Sequence, residues 1–372
     1  MDPRIYWVGF NHIRGIGAVR MQRLLQFFGD LSIAWDAPLD ALTAAGLSEK
    51  LALQVIESRK KIDPSQLFSS IQNKGIHILT SLDDAYPRKL REIDQPPPVL
   101  YTLGSLQPED DWAVAIVGTR RMTGYGKQVA SELAAFLARH GVTVVSGLAR
   151  GIDAAAHSSS IQSGGRTLAV LGCGVDVVYP PENKMIYQQI TQHGAVISDY
   201  CPGTAPEGVN FPPRNRIISG LTSATVVIEA AATSGALITS TFAAEQGREV
   251  FAVPGSIYAA QSKGTNDLIR QGARPLLDFE ELLEILQYKH VNQSQTARKL
   301  LPVDDVEAQV LQVLGDYPTH VDEIHVKSGL SMAVVSSTLT LLELKGMVYK
   351  SGPMNYSVVR ESLSGYGSES TK

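Results

Sequence analysis

Short apolar runs alternate with longer stretches of helical spacing through the middle of the chain, most clearly between Ala113 and His157. Ala113–Val117 is apolar throughout and rich in branched residues, as suits a strand covered on both faces. Gly118-Thr119-Arg120-Arg121 breaks the run. From Thr123 to His140 the residues Val129, Leu133, Phe136 and Leu137 recur at helical spacing, and Gly141 supplies a stop. A second unit repeats the plan, with Val142–Val145, the turn Ser146-Gly147-Leu148-Ala149-Arg150-Gly151, and a helix carrying Asp153 and His157. Thr167–Leu171, Ala195–Ser198, Ala224–Ile228 and Glu249–Val253 continue as strands with helical stretches between them. The spacing predicts an α/β fold with a doubly wound, mostly parallel sheet over residues 98–287.

The flanks carry other patterns. Residues 1–97 are predicted helical, including a helix over Ser48–Lys61 followed by the segment Gly75–Leu79. Pro96-Pro97-Pro98 forms a stiff connection into the central domain. His12-Ile13-Arg14-Gly15-Ile16-Gly17 precedes a helix with Val19, Leu24, Leu25 and Phe28. It reads equally as a helix-hairpin-helix turn, whose amides can meet a phosphate, and as a plain tight corner. After a polar linker at 288–303, Asp304–Leu314, Val321–Lys327 and Ser331–Leu344 read as helices. Gly346–Lys350 and Met354–Val358 read as a hairpin, which completes a winged-helix pattern over 304–360. Its third helix holds Ser336, Ser337, Thr338 and Thr340 but one cation, Lys345, so a protein contact is as good a reading as weak DNA binding. The serine- and glycine-rich tail, 361–372, is predicted disordered.

Composition narrows the chemistry. Thirty-three Lys and Arg against 37 Asp and Glu give a net charge of −4, so any polyanion site must be local. No apolar stretch is long enough for a membrane span and MDPRIYWVGF lacks the build of a secretory signal, which makes a cytoplasmic protein the expectation. Cys173 and Cys201 make no disulfide framework, no Cys/His spacing suggests a metal, and both are expected to be small buried residues. The glycines after the first strand, Gly118, Gly124 and Gly126, do not form G-x-G-x-x-G, and no phosphate-binding G-x-x-x-x-G-K-[ST] occurs. No NAD or ATP cofactor is therefore predicted.

In a parallel sheet the turns that follow the strands share the carboxyl edge, where such sheets bind ligands. That gathers Arg120, Arg121, Arg150, Lys184, Arg214, Arg216 and Lys263 on one rim, beside Phe211, Asn215, Ser234 and Gly235. Competing local roles stand beside this one. Arg150 can pair with Asp153, Arg216 with Glu229 and Lys263 with Asp267, whereas Arg120 has no obvious carboxylate nearby. His157 reads as a structural histidine, and Phe211 reads equally as core and as ligand contact.

VAIVGTRRMTGYG, VVSGLARGIDAAAH, TLAVLGCGVDVVYPPEN, FPPRNRIISGL, EAAATSGALITSTFAAEQGREVFAVPG and GTNDLIRQGA together resemble the DNA processing protein A (DprA, also called Smf) family. The resemblance implies a Rossmann-like central domain between an N-terminal helical domain (helix-hairpin-helix, or SAM-like) and a C-terminal winged helix. It implies a non-enzymatic protein that binds single-stranded DNA, protects it, and loads the recombinase RecA in natural transformation. It also implies a homodimer, with Leu268, Ile269 and Ala273 as its surface. By position, Arg120 grips a phosphate, Gly118 and Thr119 offer backbone contacts and Phe211 stacks on a base. Arg121, Ser146, Gly147, Arg150, Lys184, Arg214, Asn215, Ser234, Gly235 and Lys263 complete the expected nucleic-acid site. One departure is that Glu207-Gly208-Val209-Asn210 lacks the cation that some relatives carry just before the phenylalanine. The rival is a nucleotide phosphoribohydrolase of the lysine-decarboxylase-like group. Its Pro-Gly-Gly-x-Gly-Thr-x-x-Glu motif is missing, and the acid/base candidates Glu229 and Glu245 lack a partner in sequence.

Overall fold

The computed structural model describes residues 2–286, 305–314, 319–344, 348–352 and 354–358, in two compact units, 1–282 and 283–372. The first is built on a nine-stranded sheet: β1 (His77–Thr80), β2 (Val99–Gly104), β3 (Ala113–Val117), β4 (Thr143–Ser146), β5 (Thr167–Val170), β6 (Gly194–Ser198), β7 (Ala224–Val227), β8 (Glu249–Ala252) and β9 (Arg274–Pro275). Their spatial order is β1-β2-β6-β5-β4-β3-β7-β8-β9. Strands β3 to β9 are parallel, whereas β1 and β2 run antiparallel at one edge.

All six strands expected from the apolar runs form, each within a residue or two of the expected ends. Strands β3 to β7 are buried along their whole length, which is why they run mostly apolar without alternation, while β8 is half-buried at Glu249 and Val250. The segment Gly75–Leu79, assigned above to the helical part, instead supplies β1 of the sheet, paired with β2 through Ile78 and Tyr101. Strands β1, β2 and β9 gave no usable signal, because two of them are antiparallel edge additions and the third is two residues long.

From β3 the chain winds outward through β4, β5 and β6, then returns to place β7 on the other side of β3. The order therefore reverses between β3 and β7, and the turns after these two strands part to leave a crevice at their carboxyl ends.

Ahead of the sheet lie helices Arg4–His12, Ala18–Phe28, Leu31–Asp36, Leu39–Ala44, Glu49–Arg59 and Pro64–Gln72. Asp30, Ser48 and Asp63 cap three of them by accepting first-turn amides. Phe10 meets Trp35 edge to face at 5.1 Å, in a core continuous with Tyr101 and Val196 of the sheet. Cys173 and Cys201 are free and buried, as expected, and burial pushes both thiols up to about 11. Among the described residues no helix is long and apolar enough to cross a membrane.

The second unit contains helices Asp305–Val313, Val321–Ser328 and Met332–Leu344 around a core of Val310, Ile324, Val335, Leu339 and Leu342. Val348–Gly352 and Asn355–Val358 form the expected hairpin, and Thr319–His320 adds a third strand beside the latter. These are the helices and wing of a winged-helix domain. Lys345, the linker at 288–303 and the tail at 361–372 lie outside the described residues.

Candidate nucleic-acid interface

The turn after β3 is shaped from beneath. A Cβ on Gly118 would run into Ile152 and the Glu229 carbonyl, so only glycine lets the backbone pass here. The Thr119 amide donates to that carbonyl at 2.8 Å. Helix Gly124–Arg139 then starts with Thr123 as its cap, whose Oγ1 accepts from the Gly126 amide at 3.1 Å. The Thr123 amide and hydroxyl donate to the Glu229 carboxylate at 2.9 and 2.5 Å. Glu229 is 2% exposed, so its carboxylate is a buried fixture of the turn. The two arginines between Thr119 and the helix are left exposed on the crevice wall.

The turn after β4 is held by three side chains. Asp153 is buried and accepts the Gly147 and Ala149 amides at 3.2 and 3.3 Å. Arg214 donates to the Gly147 carbonyl at 2.9 Å, and Asn183 to the Leu148 carbonyl at 2.9 Å. Together they hold Leu148 at a φ of 54°, a left-handed conformation costly for a residue with a Cβ. Burial pushes the Asp153 carboxyl up, opposed by the Arg214 charge and the amides it accepts. Burial likewise brings Arg214 down to about 10, opposed by Asp153, so the guanidinium is charged at neutral pH. His157 has the structural place expected of it. It is fully buried with Nδ1 2.6 Å from Thr167 Oγ1, and burial and Arg214 take it down to about 3.

Phe211 opens helix Phe211–Gly220 with two prolines behind it. Its half-buried ring stacks on Tyr179, with centroids 5.6 Å apart and planes 30° apart. A Cβ on Gly172 would meet the ring at 2.8 Å, so that glycine lets Phe211 lie against backbone. Arg120 and Arg214 place their guanidinium carbons 5.7 and 5.9 Å from the ring centroid, within cation–π range. Arg120 is exposed and forms no ion pair among the described residues, whereas Arg214 is 5% exposed and lies under the surface.

Two of the local pairings considered from sequence are replaced by others. Arg216 pairs with Asp199 at 2.9 Å, not with Glu229, because Glu229 faces Thr123 on the neighbouring turn. Arg150 pairs with Glu182, not with Asp153, whose carboxylate is turned inward to the Gly147 and Ala149 amides. Asp267 pairs with Arg270 and leaves Lys263 exposed.

The assembled groove has a volume of about 670 Å³ at the β3–β7 crevice. Gly118, Thr119, Arg120, Arg121, Phe211, Arg214, Asn215, Ser234 and Gly235 line it. Asn215 donates to the Gly235 carbonyl at 3.3 Å, tying together two walls. Gly147 and Arg150 line a small adjoining pocket with Tyr179 and Gly172 under Phe211. Ser146 is buried and donates to the Ile116 carbonyl, so it braces β4 against β3. Lys184 and Lys263 are exposed but line neither cavity. Leu268, Ile269 and Ala273 are half-buried, on and just after helix Lys263–Arg270. Sequence reasoning quoted Tyr179 and Asn183 within YPPEN but gave neither a role, because nothing local announces what a proline-rich turn will face.

The model of the family described as DNA recombination-mediator protein A matches residues 77–287, and that of the DprA winged helix domain matches 294–350. Protein Smf of Synechocystis is 37% identical over 95% of this chain and 98% of its own. DNA processing protein DprA of Streptococcus pneumoniae is 42% identical over 56% of this chain and 73% of its own. The X-ray structure of the Streptococcus pneumoniae DprA superposes with a TM-score of 0.67 at 34% identity, covering 76% of this chain and 97% of that one. A Helicobacter pylori DNA processing protein A, whose structure is described for its single-stranded DNA binding mode, gives 0.52 at 29% identity over 57% of this chain and 96% of its own.

Proposed function

We propose, for a chain that belongs to the DNA recombination-mediator protein A family, that the groove holds single-stranded DNA without reading its sequence. The observation that carries this is Arg120, an exposed cation unpaired among the described residues and laid over the half-buried Phe211 ring. A polynucleotide offers a phosphate and a base face within one nucleotide, and this pair offers a partner to each. Every base has such a face, so the grip tolerates any sequence. The Helicobacter pylori relative, described for single-stranded DNA binding, supports the reading. Thr119 and Arg121 extend the phosphate contacts along the β3 turn, and Ser234, Gly235 and Asn215 supply polar groups on the opposite wall. Arg214 acts from below, holding the Gly147 turn and lending positive charge to the groove.

From the family likeness we extend the reading to a homodimer formed through Leu268, Ile269 and Ala273. In the cytoplasm it shields incoming strands and hands them to RecA during natural transformation. The DNA step is tested by titrating labelled single- and double-stranded oligonucleotides at several salt concentrations. Preference for the single strand, weakening with salt at about −0.7 in log–log slope per phosphate neutralised, is the expected result. Equal or tighter binding of duplex overturns it. The RecA step is tested by whether the protein accelerates RecA filament formation on strands already coated by a single-strand binding protein.

A further inference from the structure

We infer that Tyr258 is a second base-stacking platform, which extends the strand's path from the Phe211 groove along the carboxyl edge to the loop after β8. The inference rests on the single-strand reading of that groove.

Tyr258 is 93% exposed and Ile257 beside it 81%, in a loop that is otherwise tightly held. Gly255 exchanges two hydrogen bonds with the Asn266 side chain, at 3.2 and 3.0 Å. The Gln261 carbonyl accepts from the Ala230 amide at 2.8 Å. Between these anchors Ser256–Ala259 closes as a turn. The Ala259 amide donates to the Ser256 carbonyl at 3.0 Å and the Tyr258 amide to Ser256 Oγ at 3.3 Å. The two central positions of such a turn ordinarily go to small polar residues. Here an ordered tip holds two large apolar side chains in solvent, and paired exposure of that kind marks a contact surface more than single exposed residues do.

Charge selects the occupant. From Val253 to Asn266 there is no Asp or Glu, while Lys263 stands exposed at the start of the following helix. Position agrees with charge. The loop leaves the carboxyl end of β8, two strands along from β3, roughly 10 Å at ordinary strand spacing. Tyr125, 49% exposed on the first turn of the helix after β3, bridges the interval by donating to the Pro254 carbonyl at 3.0 Å. A strand held at Phe211 and leaving toward β8 passes Arg121 and Tyr125, then meets an aromatic face with a cation beside it. A polyanion with flat apolar bases fits that surface.

The test compares Tyr258→Ala, Tyr258→Phe and Arg120→Ala in full-length protein. The probes are a short oligothymidine that fills only the Phe211 groove and a longer one that reaches the β8 loop. Tyr258→Ala is expected to weaken the long strand about tenfold and leave the short one unchanged, with Tyr258→Phe binding both as the parent does. Unchanged affinity of Tyr258→Ala for the long strand overturns the inference. So does a changed sedimentation coefficient with unchanged affinity per protomer, which would make the turn a contact between copies. If Arg120→Ala leaves even the short strand bound as before, the groove reading itself falls, whatever Tyr258 does.

Discussion

Replacing Arg120 with alanine removes a group whose contribution to the fold is small and whose contribution to DNA binding is large. The side chain is exposed and has no ion pair among the described residues, so its loss should change stability by no more than about 1 kcal/mol, most of it the contact with the Phe211 ring. Its loss from a complex removes one charge-assisted phosphate contact, about 1.5–3 kcal/mol, whereas the cation on the Phe211 ring is lost from free and bound protein alike. Affinity for oligothymidine is then expected to fall about tenfold or more at low salt. The salt dependence should become shallower by about 0.7 in log–log slope, one phosphate fewer. Arg120→Lys separates the two contributions. It keeps the charge and the slope but loses the planar two-pronged grip on a phosphate, so its affinity should lie between the other two proteins. Fluorescence anisotropy of a labelled strand at four or five salt concentrations measures all of this. A parental slope and affinity in Arg120→Ala would refute the role, as would a slope lost equally in the lysine variant.

Four further outcomes can be checked. Glu229→Ala strips the Thr123 amide and hydroxyl of a buried acceptor and should cost about 3 kcal/mol, read as a lowered midpoint in urea. The parent protein incubated with AMP should release no adenine; release would reinstate the hydrolase reading. His157, held down to about 3, stays neutral in the fold where an unfolded histidine protonates below about 6.5. Its stabilising contribution is thus complete above pH 6.5 and declines as pH falls toward 3, by at most about 1.4 kcal/mol per pH unit. Denaturation between pH 6.5 and 5, where most carboxylates stay ionised, should show this decline, and His157→Gln should flatten it. Leu268→Asp should halve the mass measured by sedimentation equilibrium if the proposed dimer forms through that helix; an unchanged mass removes Leu268 from the interface.

The central strands were legible because burial on both faces leaves a chemical trace: AVAIV has no polar position and its counterparts are mostly apolar and branched. The helix starts were legible for a similar reason, since Thr123 and the prolines after Phe211 act on their own first turn. Arg120 was also legible, because having no carboxylate nearby in sequence turned out to mean having no ion pair among the described residues. The ionic partners were not. Arg216 finds Asp199 17 residues back within its own connection and Arg150 finds Glu182 32 residues on in the loop after the next strand, separations that follow no local spacing rule. The depth of Arg214, which looked like its neighbours on the rim, depends on how the Gly147 turn closes over it.

Sequence by itself determined the six strands from β3 to β8 and the helices between them, that the ends of the strands carry cations and glycines, and which family the motifs resemble. These are properties of a few adjacent residues, decided by periodicity and backbone freedom. Tertiary structure alone decided that β1 and β2 join the sheet, that the order reverses between β3 and β7 to open the groove, and that Phe211 meets Tyr179 and two guanidinium groups. It also decided which of several similar arginines stay exposed and unpaired among the described residues. Burial and charge pairing depend on distance in space, and the chain sets those distances only when the sheet has closed.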